Sequence, residues 1–280
     1  MTAAPMFASL PWYDLPEAQE WTDAWWRVLR GHLRTAGFDV TAALERSVPY
    51  EEQWRSPALL LSQSCGYDVQ GPFARDLQLL ATPCYAAVGC HGVHYASYVV
   101  VRADAPWQRL DELRATRCVI NTATSHSGMN ILRAMVAPLC EDGRFFASVA
   151  RSGSHRRSLR AIERGMADVA AIDCVTWALL QRHAPHELQG LRILCRTTER
   201  PAPPYVTRRG LDDDGVQRLR QALFAAAADP TGARARDELL LDCFVPLPLA
   251  AYDSIGALQR LADAHGYGEM AALEPGSEDA

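Results

Sequence analysis

The stretch "RCVINTATSHSGMN", residues 117–130, decides how the rest of the chain is read. The short apolar run Cys118–Val119–Ile120 gives way to Thr122, Thr124, Ser125, His126 and Ser127, and then to Gly128. After the glycine comes the helical spacing of Ile131, Leu132, Met135, Val136 and Leu139. This is a strand feeding a helix over 127–140 through a turn of small hydroxyl residues. A helix start presents N–H groups without intrahelical acceptors and the positive end of the helix dipole, so hydroxyls placed there favour an oxyanion. Gly128 lets the backbone approach such a ligand closely. The competing reading is local: Ser125 or Ser127 is only an N-cap.

The same punctuation recurs outward. "FFASVARSGSH" reads as a strand leading to a helix at 155–164, with His155 at its start beside Arg156 and Arg157. "ADVAAID" is an apolar strand closed by Asp173, ahead of a helix at 174–183. In an open parallel sheet such turns gather at the carboxyl ends of the strands, so Thr124–Gly128, His155 and Asp173 are expected at one edge. A histidine there can donate to a phosphoryl or carboxylate oxygen. Asp173 would need a ligand ammonium, a protonated oxygen or His155 to receive its charge; otherwise it caps the helix it precedes. Tyr13 beside Trp12, Tyr67 in "SQSCGYD", and Tyr95 near Tyr98 stand at other expected edges, where a phenol orients a ligand while its ring walls the pocket. Core packing competes as the role of each.

Further β-like runs are "MFASLPW", "PALLLSQS", "LQLLATPCYAA", "SYVVVRAD" and "LRILCRT". Asp14, three before Glu17, resembles a capping box. The helix behind it carries Trp21, Trp25, Val28, Leu29, Leu33 and Ala36 on one face. "ERPAPPYVT" reads as a connector, followed by helices near 213–228, 231–241 and 252–265. The alternation implies an α/β architecture with a mostly parallel sheet in each lobe. Breaks near 98–104 and 195–205 divide it into an inserted lobe, 99–201, and a discontinuous lobe made of 1–98 and 202–280. The closing "EPGSEDA" reads as disordered.

Composition excludes several classes. The 280 residues are 49% hydrophobic and 22% charged, and all 28 basic residues are arginine. A net charge of −5 argues against a broad nucleic-acid footprint. No run approaches the roughly 20 apolar residues of a membrane span. The start lacks a basic n-region and an apolar h-region, so the chain as it stands is expected in the cytoplasm, or in the periplasm if a signal has been removed. Cysteines 65, 84, 90, 118, 140, 174, 195 and 243 are scattered, as buried reduced thiols would be. The loop with Cys84, Cys90, His91 and His94 matches no common closed zinc spacing, so no metal is expected. Neither a Walker loop nor a dinucleotide fingerprint is present, so no cofactor is expected. A Cys174–His155 nucleophile pair has no local signature.

The blocks "YASYVVVRAD", "LRATRCVINTATSHSGMN", "GSHRRSLRAIERGMADVAAID" and "LRILCRT…PAPPYVT" follow in a specific order. They resemble the substrate-binding proteins of phosphate, phosphite and phosphonate ABC transporters, the phosphonate-binding branch of type II periplasmic binding proteins. The resemblance implies two α/β lobes closing on a ligand across a two-strand hinge. It implies an anion-binding cluster at Thr124, Ser125, His126 and Ser127, a histidine at His155, an acidic residue at Asp173, and tyrosines at Tyr95 and Tyr67. The family often has S-x-S-G or S-T-S-G where this chain has Ser125–His126–Ser127–Gly128, so His126 bears on the charge or size of the ligand. The expected function is non-enzymatic binding of a phosphonate, phosphate or phosphite, with an ABC transporter permease or a signalling protein as partner. Two alternatives share the fold. A thiamine-pyrimidine-precursor binding or synthesis protein needs stacking aromatics and a reactive Cys/His set. A cytoplasmic sensor domain needs an exposed apolar patch for its partner.

Overall fold

The computed structural model describes residues 5–268 and residue 270, so "EPGSEDA" lies outside the described residues. The chain divides into two units: one holds the chain up to His94 and Pro201–Ala251, the other Tyr95–Arg200 and the chain from Tyr252 onward.

In the first unit five strands lie in the order Phe7–Ala8, Leu59–Gln63, Tyr205–Arg208, Leu77–Tyr85, Leu241–Val245. Leu59–Gln63 is buried at every position, which explains its opening "LLL" run, since a strand covered on both faces need not alternate; its polar end is hydrogen-bonded, Ser62 with Ser9 at 2.9 Å and Gln63 with Tyr85 at 2.9 Å. Tyr205–Arg208 occupies the centre of the sheet, although "ERPAPPYVT" reads as a connector. Four residues are too few to display a period, and the prolines before them supply only carbonyls. Those carbonyls are used: Pro203 accepts from the Gln63 amide at 2.9 Å and Pro204 from the Ser64 N–H at 3.0 Å.

The helix Gln19–Thr35 buries Trp25, Trp26, Leu29 and Leu33. It is entered through a 3-10 turn, Pro16–Ala18, without a side-chain cap. The expected Asp14 capping box does not form. Proline presets the helix entry, and the Asp14 carboxylate takes the Arg46 guanidinium at 2.5 Å, a stronger partner than an N–H. On the other side Trp54 packs with Leu59, Val69, Phe73, Leu77 and Val206, its ring stacked on Trp12 with centroids 5.6 Å apart.

In the second unit the order is Leu191–Arg196, Ser97–Arg102, Val169–Asp173, Arg117–Ile120, Ser148–Arg151. The last three run parallel to one another and the first two pairs are antiparallel. Both units therefore have mixed sheets where mostly parallel ones are expected. Parallel neighbours need crossovers of a dozen or more residues. The segments between the three parallel strands are that long, whereas Ser97–Arg102, placed between Leu191–Arg196 and Val169–Asp173, runs opposite to both of its neighbours. Ile120 pairs with Arg151 and Ser97 with Asp173, which sets the carboxyl ends of the parallel strands and the start of Ser97–Arg102 along one edge.

The chain from Tyr252 onward belongs to the second unit, which corrects its expected place with residues 202–280. The helix Asp253–Ala264 seats Leu258 against Ile131 and Ala134. Arg133, 5% exposed, holds it by donating to the Gln259 carbonyl at 3.0 Å and Asp263 at 3.1 Å, and to the Gly268 carbonyl. The chain consequently passes between the units three times, at 94/95, 200/201 and 251/252, instead of through two strands. The first boundary also falls a few residues before the expected one.

Candidate functional site

Three strand-to-helix turns reach the carboxyl edge of the second unit's sheet, and each helix start is capped by a side chain. Ser125 Oγ accepts the Gly128 N–H at 3.0 Å, Ser154 accepts the Arg157 N–H at 3.2 Å, and Asp173 accepts the Thr176 N–H at 2.7 Å. The local reading of Ser125 and Asp173 as caps is thus realised. A capping hydroxyl keeps its own hydrogen for another acceptor. Residues 126–130 wind as a π turn before the α-helix Ile131–Val136 and the 3-10 turn Ala137–Leu139. Such turns recur at functional sites because they displace side chains from the regular helical face.

Ser127, His155 and Asp173 come together here. Ser127 Oγ lies 2.9 Å from His155 Nε2, and Asp173 Oδ2 lies 3.2 Å from the same nitrogen. Both contacts fall on one ring nitrogen, unlike a nucleophile–base–carboxylate relay, which uses the two nitrogens separately. Asp173 also accepts the Thr176 hydroxyl at 2.6 Å, so its charge is already met by Thr176 and the imidazole. Burial lowers the His155 pKa, against opposing effects from Asp173 and the Ala171 backbone. The ring is therefore a neutral donor at neutral pH. With Nε2–H directed to Asp173, the Ser127 hydroxyl is left to donate outward.

Gly128 is closely enclosed by side chains. A Cβ there would stand 2.0 Å from Asn121 Oδ1 and 3.1 Å from His155 Cε1. Gly153 supplies the other special backbone: its φ of 88° belongs to the left-handed region and lets its N–H reach the Asn121 carbonyl at 2.8 Å. His126 is buried, with Tyr95 6.2 Å away between ring centroids and Asn130 Nδ2 at 3.4 Å from Nδ1. Burial, and then the charge of Arg200, push its pKa down to about 3. Thr124 is exposed on the turn. Tyr13 and Tyr67 belong to the first unit: Tyr13 is buried edge-to-face on Tyr85 at 5.1 Å, and Tyr67 is half-buried in the helix Gly66–Gln70.

Sequence reading passes over Arg200, Asn121 and Asn130. Arg200 is the cation whose field reaches His126, and it is half-buried, donating to the carbonyls of Ser254 at 3.3 Å and Glu199 at 2.6 Å. It stands in the Pro-rich segment that reads as a connector. Arg156, by contrast, is spent on Glu187 at 2.7 Å, as is Arg160. Among the described residues no group of three or more His, Cys, Asp or Glu side chains is placed to hold a metal, and no helix is long and apolar enough to cross a membrane.

Two mixed α/β units of this kind match the fold of periplasmic binding proteins. The chain belongs to the family described as ABC transporter, phosphonate, periplasmic substrate-binding protein, whose model matches residues 75–252, more than half of its length. Proteins of this family bind small ligands for transport and work with ABC transporter permeases. A binding protein component of an ABC phosphonate transporter from Pseudomonas aeruginosa has the same fold, with a TM-score of 0.74 and 17% identity over 94% of this chain and 88% of that one. PhnD1 from Prochlorococcus marinus, solved with methylphosphonate, gives a TM-score of 0.72 and 15% identity over 92% of this chain and 98% of its own. XAC2383 from Xanthomonas citri, solved with chloride, gives 0.71 and 18% over 94% and 99%. No curated protein sequence matches the chain.

Proposed function

We propose that the chain is a non-enzymatic binding protein whose ligand is a small phosphorus oxyanion, a phosphonate, phosphate or phosphite, held at the carboxyl edge of the second unit's sheet. The observation that carries this reading is the cluster in which the Ser127 hydroxyl, the His155 ring and the Asp173 carboxylate meet at a capped helix start. Neutral donors and helix N–H groups favour an oxyanion without requiring a buried counter-charge. Arg200 adds a nearby positive charge. The methylphosphonate complex of a similarly folded protein supports the ligand class. A Cys174–His155 nucleophile finds no support, because Cys174 is fully buried. An ABC transporter permease is the partner that fits this reading.

A thermal-shift screen over phosphate, phosphite, sulfate and alkyl- and aminoalkylphosphonates tests it; a ligand at 100 times its Kd adds about 2.7 kcal/mol of stability. With the hit in hand, Ser127→Ala, which removes the hydroxyl left to donate outward, should weaken binding by roughly 1.5–3 kcal/mol, the range for a hydrogen bond to a charged group. Because Thr176 and His155 already meet the Asp173 charge, Asp173→Asn should weaken every ligand alike through the orientation of His155. Selective loss of aminoalkyl ligands would instead make Asp173 an ammonium partner, and full affinity in both variants would place the site elsewhere.

A further inference from the structure

Cys84 and Cys243 are Cα partners in the antiparallel pairing of Leu77–Tyr85 with Leu241–Val245. Directly opposed residues in such a pair put their side chains on one face, with Cα atoms about 4.5–5.5 Å apart. A disulfide needs a Cα separation of about 4.4–6.8 Å, so the backbone is already in range. The two thiols are within hydrogen-bonding reach of each other. Their surroundings differ: Cys84 is 5% exposed, whereas Cys243 faces solvent. Burial first, and the Cys243 neighbour second, hold the Cys84 thiol up at about 12, so it is inert until its partner changes. The register shifts between Leu241 and Cys243, an irregularity that gives the second strand room to adjust.

We propose that Cys84 and Cys243 form an oxidisable dithiol, which a hydroperoxide converts to an intramolecular disulfide. The Cys243 thiolate attacks the peroxide O–O bond and becomes a sulfenic acid, releasing water or an alcohol. Cys84 then gives up its proton and attacks the Cys243 sulfur, forming the S–S bond as a second water leaves. Two electrons pass from the pair of thiols to the peroxide. The neutral sulfenic acid removes the neighbouring thiolate that opposes ionisation of Cys84. The bond would pin strands whose next register pair, Tyr85 and Leu241, lines the first unit's cavity with Tyr13 and Gln63.

The experiment treats the reduced full-length protein with hydrogen peroxide, alkylates remaining thiols under denaturing conditions and maps unreduced peptides by mass. The expected product is one cross-linked peptide pair carrying Cys84 and Cys243, reversed by dithiothreitol and accompanied by a rise in Tm. Cys243→Ser, at an exposed position that tolerates the change, should abolish it, and Cys90→Ser should leave it intact. Cross-linking of Cys84 to Cys90 would overturn the proposal. So would a Cys243 driven to sulfinic acid while Cys84 is still fully alkylated.

Discussion

At the edge of the second unit's sheet, Ser127, His155 and Asp173 meet beside buried His126, two imidazoles whose charge burial suppresses. The corresponding edge of the first unit carries Tyr13, Gln63, Tyr85 and Tyr205 around a cavity of about 30 Å³, room for a water-sized guest. The difference follows from how the strands arrive. Parallel strands feed helices, so the second unit gathers helix starts capped by Ser125, Ser154 and Asp173. In the first unit two of the four neighbouring pairs at that edge involve Tyr205–Arg208, which begins there and brings a phenol rather than a helix start. Its helices Gln19–Thr35 and Gly66–Gln70 are entered at Ala18 and Cys65 without side-chain caps. One edge is thus rich in oriented donors and titratable groups, the other in neutral phenols held by an amide.

The largest expected effect breaks the donor-rich edge at its tightest point. Gly128→Ala puts a methyl 2.0 Å from Asn121 Oδ1, and forcing it in should cost about 1–3 kcal/mol of stability, as overpacking does. It should also displace the His155 ring and reduce oxyanion affinity. Shortening the obstacle in the double variant Asn121→Ala/Gly128→Ala should return part of the stability in urea titrations. If the double variant is no more stable than the single one, His155 Cε1 at 3.1 Å, rather than Asn121, is what limits residue 128.

Much of this contrast is legible in the sequence, for reasons particular residues make plain. "RCVIN", "SVAR" and "VAAID" are short apolar strands followed at once by Ser, Thr, His or Asp, so the second unit's edge announces itself in the one-dimensional pattern. Tyr205–Arg208 does not: two buried prolines precede it, and its membership of the sheet depends on strands more than a hundred residues away. The C-terminal helix shows its apolar face but not the surface that face meets, which Arg133 and Ile131 settle only in three dimensions. His126 reads as polar, yet the fold seals it at 1% exposure. Asn121 is silent because its importance lies in the space it denies to residue 128.

An intermediate effect sharpens the comparison through pH. The His126 pKa is about 3 in the folded chain, against about 6.5 when unfolded. Between those values the unfolded chain binds the extra proton, so stability is complete above about pH 6.5 and is lost as pH falls. From pH 7 to 5 the loss from this one group is about 2 kcal/mol. His155, lowered in the same direction, adds to it. Urea unfolding of the wild type and His126→Gln at pH 7 and pH 5 should show a smaller acid penalty in the variant. Equal penalties would mean that the second unit opens enough to protonate His126 without unfolding.

The smallest effect probes the neutral edge. Gln63 Nε2 donates to Tyr85 Oη at 2.9 Å and to the Pro203 carbonyl at 2.9 Å, and both side chains are buried. Tyr85→Phe removes one acceptor and keeps the ring that meets Tyr13 edge-to-face. The loss of a neutral hydrogen bond should cost about 0.5–1.5 kcal/mol. Neither partner in that bond is a histidine or a carboxylate, so the cost should be the same at pH 5 and pH 7, unlike the penalty at His126. Water entering the small cavity beside Gln63 would bring the figure toward the lower end, since a bridging water replaces most of a direct bond. A cost that grows on acidification would mean that this edge senses protons after all, and the contrast between the two sheets would then lie in shape rather than in charge.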